Sequence, residues 1–71
     1  MKLHYYAETD SLYIELSDRP GADTREVVDG VIIDLDATGA VVGIDIDHAS
    51  AHLDLGSLDV TGLPAARVHV S

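Results

Sequence analysis

Between Leu12 and Leu16, apolar and polar positions alternate without interruption, with Leu12, Ile14 and Leu16 separated by Tyr13 and Glu15. A period of two belongs to a strand with one dry and one wet face, and it would scatter the aliphatic groups around a helix. The segment before it obeys the same rule, with Leu3, Tyr5 and Ala7 on one side and Lys2, His4 and Tyr6 on the other. Glu8-Thr9-Asp10-Ser11 between the two is a cluster of turn formers, so a hairpin is expected. A loop at those four residues makes Ala7 face Leu12, Tyr5 face Ile14 and Leu3 face Leu16, while Tyr6 meets Tyr13 and His4 meets Glu15 outside.

The strongest strand, Val31-Ile32-Ile33-Asp34-Leu35, leads through Asp36-Ala37-Thr38-Gly39 into Ala40-Val41-Val42-Gly43-Ile44-Asp45-Ile46, a second hairpin. A four-residue loop pairs Leu35 with Ala40, Ile33 with Val42 and Val31 with Ile44 on the buried face, leaving Asp34 opposite Val41 and Ile32 opposite Gly43 outside. A three-residue loop would turn Asp34 and Asp36 onto the face of Val42 and Ile44, so the four-residue loop is the expected one. Ser17 to Asp23 reads as a loop around Pro20-Gly21, Thr24 to Val28 as a short strand, and Asp29-Gly30 as a tight turn or a bulge. Beyond Asp47 the alternation fades, and His48-Ala49-Ser50-Ala51-His52-Leu53 has the alanine content and spacing of a short helix. Leu53, Leu55 and Leu58 are apolar enough to pack on the sheet, and Ala66 to Val70 is expected as a last short strand; residues 54–71 otherwise carry no clear pattern. The expected fold is mainly β, α+β at most: one domain over residues 1–71, a small antiparallel sheet of two consecutive hairpins plus short strands, and a helical turn near residues 48–53.

A chain of 71 residues buries only about 60% of the surface its unfolded form exposes, and with no cysteine it has no disulfide to compensate. Support must come from a well-patterned core or a partner subunit, so a homodimer or other homo-oligomer is expected. No apolar stretch approaches the length of a membrane helix and the N-terminus has no apolar leader pattern, so a cytoplasmic location away from membranes is the expectation. Thirteen acidic residues against four basic ones give a formal charge of −9, which repels phosphate backbones and turns the search for partners from nucleic acid toward a basic protein.

From Tyr5 to Ser50 the order of features resembles the YuzE-like family, small bacterial proteins catalogued as a domain of unknown function. The resemblance is carried by Tyr5, by Glu8 through Leu16, by Glu26-Val27-Val28-Asp29-Gly30-Val31-Ile32-Ile33-Asp34, and by Gly39 through Val42-Gly43-Ile44-Asp45-Ile46 to Ala49-Ser50. Such proteins commonly place Asp after the first Tyr, where this chain has Tyr6. The resemblance implies a small β-rich fold and an antitoxin-like or partner-binding role, with no activity, substrate or catalytic residue attached to it.

Asp34, Asp36, Asp45 and Asp47 fall on two adjacent strands and are expected to form an acidic strip on the outer face, read first as a solvated surface and second as a cation site. His48 and His52, four residues apart, would share a helix face with Asp45 or Asp47 near enough to complete a metal site, although Glu is missing from the position that the metalloprotease motif requires. Ser11, Ser17, Ser50 and Ser57 stand in no nucleophile elbow, so no catalytic residue and no cofactor is assigned. Tyr6, Tyr13, Ile32 and Val41 are the candidates for an apolar contact patch outside the sheet. The leading expectation is a non-enzymatic, self-associating interaction module that meets a basic protein partner. The alternative is a metal-binding or metal-dependent protein using His48, His52 and the nearby aspartates.

Overall fold

The computed structural model describes residues 1–64, so the strand expected at Ala66 to Val70 lies outside the described residues. The elements run β1 (Lys2–Tyr6), β2 (Ser11–Glu15), β3 (Asp23–Val28), β4 (Val31–Leu35), β5 (Val41–Ile46) and α1 (Ala49–His52). All neighbours in the sheet are antiparallel, in the order β1-β2-β5-β4-β3. The chain is therefore mainly β, as its alternation requires. Strands β3, β4 and β5 form a meander, and the connection after β2 crosses it so that β2 lies against β5, a Greek-key arrangement. No helix among the described residues is long and apolar enough to cross a membrane.

Both expected hairpins form, each in a shifted register. In the first, Tyr6 pairs with Ser11, Tyr5 with Leu12, His4 with Tyr13, Leu3 with Ile14 and Lys2 with Glu15. The loop is Ala7 to Asp10, one residue earlier than the turn formers suggest, because Asp10 takes the left-handed conformation that closes it (φ 52°). Aspartate tolerates that region better than most residues. Inward and outward positions are unchanged, but the expected pairs Tyr6 with Tyr13 and His4 with Glu15 are replaced. Glu15 instead faces Lys2, with Nζ and Oε2 3.9 Å apart.

In the second hairpin a three-residue loop forms in place of the expected four-residue one. Asp36 N–H donates to the Ala40 carbonyl at 2.8 Å, and Gly39, at φ 85°, donates to the Asp36 carbonyl at 3.0 Å, so three residues make the turn. Asp34 nevertheless stays off the aliphatic face. The register slips between Asp34, which faces Gly43, and Leu35, which faces Val41, so Val42 is an extra residue in β5. This bulge cancels the parity change of the short loop. Ile33 consequently faces Ile44, and Val31 faces Ile46.

One side of the sheet carries continuous apolar rows. Leu3, Ile14, Ile44 and Ile33 follow one another across four strands and end at Arg25 on β3; Tyr5, Leu12, Ile46, Val31 and Val28 form the next row. Leu12, Leu35, Val42 and Ala49 are buried, while Ile14, Val31, Ile33, Ile44 and Ile46 are half-buried. Leu53, Leu55 and Leu58 do not pack away on the sheet as their apolar character suggests, and Leu58 keeps 66% of its surface.

The helix begins where the first loop ends. Asp10 receives the Ala49 amide on its main-chain oxygen at 2.8 Å and the Ser50 amide on its carboxylate at 3.1 Å, while Ser50 Oγ donates to Oδ2 at 2.6 Å. These bonds satisfy amides that a helical start leaves without intrahelical partners. Asp10→Ala is expected to accelerate hydrogen exchange at the Ser50 amide while leaving the amides of β4 and β5 protected, with Asp10→Asn intermediate; exchange read by NMR checks this.

Candidate functional site

The side of the sheet opposite the aliphatic rows is polar, and it is organised around a strand position with no side chain. Pairing of β2 with β5 puts Tyr13 opposite Asp45 and Glu15 opposite Gly43, while β4 places Asp34 opposite Gly43 and Ile32 opposite Asp45. The Tyr13 ring lies over Gly43, where an added Cβ would collide with the phenol hydroxyl and sit 2.6 Å from Cζ. Its hydroxyl reaches β4 and donates to Asp34 Oδ2 at 2.8 Å, so one side chain spans three strands.

Electrostatics follow from that arrangement. The bond to the Asp34 carboxylate, then burial, then the charges of Asp34, Glu15 and Asp45 push the Tyr13 phenol up to about 12. Such a phenol stays protonated at neutral pH, so it acts as the donor of a positioned hydrogen bond to Asp34. Stability drawn from it is complete below the ordinary phenol range and is lost as pH rises from about 10 toward about 12. Asp45 is raised above the usual carboxylate range by burial first and then by the charges of Asp47 and Asp34.

The expected acidic strip is therefore redistributed. Asp34 and Asp45 do share the outer face. Asp36 instead turns into its own loop, buried, where one carboxylate oxygen accepts from Thr38 N at 2.9 Å, Thr38 Oγ1 at 2.6 Å and Ala40 N at 3.0 Å. Its other oxygen lies 3.1 Å from Arg19 Nε. Asp36 is held below the usual carboxylate range by the Thr38 hydroxyl first and the Ala40 amide second. Asp47 follows the end of β5, its amide donating to Gly30 O at 2.8 Å, and its charge reaches Asp45.

His48 and His52 do not share a helix face. His48 precedes α1 in the left-handed conformation (φ 52°, ψ 46°), which takes it out of the helical phase that the four-residue spacing assumes. Among the described residues no three His, Asp or Glu side chains converge on a point that would hold a metal ion.

Three of the four contact candidates share the polar face, and Val41 stands apart. Tyr13 and Ile32 flank Asp45 in one row, Tyr6 sits at the end of β1 opposite Ser11, and Val41 faces Leu35 beside the bulge. Tyr6 is exposed at 54%, Val41 less so, and Tyr13 and Ile32 are half-buried.

The cluster that sequence reasoning misses is Tyr5, Asp10 and Ser50. Tyr5 Oη donates to Asp10 Oδ1 at 2.7 Å, and the same carboxylate holds Ser50. Asp10 is lowered by the Ser50 hydroxyl first, then by Tyr5, with a smaller contribution from the charge of His48. The stability it lends is therefore present above the ordinary carboxylate range and fades as pH falls through its lowered value. Ser50 Oγ donates its hydrogen bond to the Asp10 carboxylate, so the group joins the first loop to the start of α1. A left-handed Asp ending a loop is the one local signal, and nothing in the chain marks its partner 40 residues on.

Fold and site together define a small antiparallel β domain whose polar face is tied across three strands by a tyrosine–aspartate bond. The chain belongs to the family described as Protein of unknown function (DUF2283), whose model matches residues 2–50, from the first residue of β1 to the Ser50 that Asp10 holds. No curated protein and no solved structure matches the chain.

Two substitutions test this geometry. Gly43→Ala is expected to cost about 1–3 kcal/mol in urea unfolding because the Tyr13 ring must leave its place. Part of that cost should return when Tyr13 is also shortened to Ala. Because the folded state raises the Asp45 carboxyl, its ionisation opposes folding at neutral pH. Asp45→Asn is therefore expected to stabilise at neutral pH, with the gain shrinking in acid, where the native Asp45 is already protonated.

Proposed function

We propose that the chain is a non-enzymatic interaction module that works by association, with a second copy of itself and with a basic protein partner. The observation that carries this reading is the state of the aliphatic face: its rows cross the sheet, yet no large side chain among the described residues is fully shielded from solvent. Leu3 and Tyr5 each keep 47% of their surface, and the central isoleucines are only half-buried. Each Å² of apolar surface withdrawn from water contributes about 25 cal/mol, so a chain this small gains much of its missing stability by covering that face.

The formal charge of −9 supports a basic partner, since complementary charge accelerates encounter and rejects acidic competitors. The same charge argues against nucleic acid. Kinship with the YuzE-like proteins and an antitoxin-like role belong with this reading, because an acidic module that neutralises a basic protein needs surface and charge but no catalytic group.

Sedimentation equilibrium over the micromolar range is expected to show reversible association, and the melting temperature is expected to rise with protein concentration, as mass action requires. A chain that sediments as monomer up to high micromolar concentration, with a melting temperature independent of concentration, would overturn self-association.

A further inference from the structure

The two edges of the sheet are built differently. Along β3 the edge is guarded: Asp23, Arg25 and Glu26 place charges on it, and the register against β4 slips between Glu26 and Val28. Charges and bulges are the usual means by which a sheet prevents another strand from adding to its edge. Along β1 there is neither a bulge nor a proline, and its single formal charge, Lys2, stands at the first position with its ammonium 3.9 Å from Glu15. All five residues from Lys2 to Tyr6 are exposed, and they pair with β2 in unbroken register. β1 is also the one strand of the five without a carboxylate, in a chain that carries −9 overall. Two copies approaching each other meet least repulsion there.

We propose that β1 is the contact between copies, pairing antiparallel with β1 of a second chain about a two-fold axis at His4. The inference rests on the self-association reading above and names the edge through which the copies meet; this contact extends the aliphatic face into the second copy and does not cover it. His4 is the middle residue of the strand, so this register uses the strand's full length. Leu3 then lies opposite the partner's Tyr5, and Lys2 opposite the partner's Tyr6. Paired residues of antiparallel strands share a face. The aliphatic rows ending at Leu3 and Tyr5 therefore run on into the second copy, making one ten-stranded sheet with its apolar rows on one side. Lys2 sets its ammonium beside an aromatic ring, a favourable arrangement for a cation. A register displaced by a single residue would set aliphatic against polar positions and forfeit that continuity.

The chain has no cysteine, so a single introduced thiol reports one contact. Directly opposed residues in an antiparallel pair have Cα atoms about 4.5–5.5 Å apart, within the span a disulfide bridges. His4→Cys under mild oxidation is expected to form the covalent dimer roughly tenfold faster than Lys2→Cys, Tyr6→Cys or Arg25→Cys, because only position 4 meets itself across the axis. Circular dichroism of each variant confirms that the sheet is retained, and wild-type sedimentation is measured alongside. If the wild type associates but His4→Cys links no faster than Arg25→Cys, the β1 contact is wrong and self-association stands on another surface. If the wild type remains monomeric throughout, the self-association reading fails and the β1 contact fails with it.

Discussion

The middle of β5 carries the rest of the structure. This strand is hydrogen-bonded on both sides, to β2 and to β4, and its pairing with β2 unites two hairpins that would otherwise be separate and marginal. At its centre Gly43 leaves the space into which the Tyr13 ring settles, and the ring in turn carries a hydroxyl from β2 to the Asp34 carboxylate on β4. Glycine weakens an isolated strand because it brings no side chain to pack. Here an aromatic ring from the neighbouring strand supplies the missing contact, and the polar face is bound across its three inner strands by a single residue.

Register on the other face survives by compensation. A three-residue turn at Ala37 to Gly39 would by itself reverse every side chain of β5 relative to β4, and the extra residue Val42 reverses them back. Val42 is among the best buried residues in the described chain, at 3% exposure, so the bulge that corrects the register also supplies part of the core. Asp36 holds the turn that makes the bulge necessary, accepting three hydrogen bonds and facing Arg19 from the crossover loop.

The acidity of the chain thus divides by role. Asp10 and Asp36 are lowered by the bonds they accept and hold loops together, whereas Asp45 is raised by burial and by its acidic neighbours and works against the fold at neutral pH. Asp45 shares the polar face with Asp34, and it is this charge that the proposed encounter with a basic protein would use. In the proposed dimer the β1 edge would supply main-chain contacts, and the aliphatic rows would continue across it.

The period of two from Leu3 to Ile46 by itself determined that the chain is a sheet, that it contains the two hairpins, and which residues share a face, because alternation on a pleated strand leaves no other arrangement that segregates aliphatic from polar groups. Composition likewise determined the charge. The exact pairs were not legible, since a loop one residue earlier in the first hairpin and a bulge at Val42 in the second keep the inward and outward sets, except beside the bulge where Val41 now faces Leu35, while changing every partner, as Tyr6, His4 and Ile33 illustrate. Nor was the acidic strip or the histidine pair, which depended on Asp36 turning inward and on the backbone angle of His48. Tertiary structure alone decided that β2 lies against β5, that Tyr13 meets Asp34 and that Asp10 meets Ser50. Each of those contacts joins segments far apart in the chain, where the partner is chosen by the space and hydrogen-bonding groups left open after the strands have aligned.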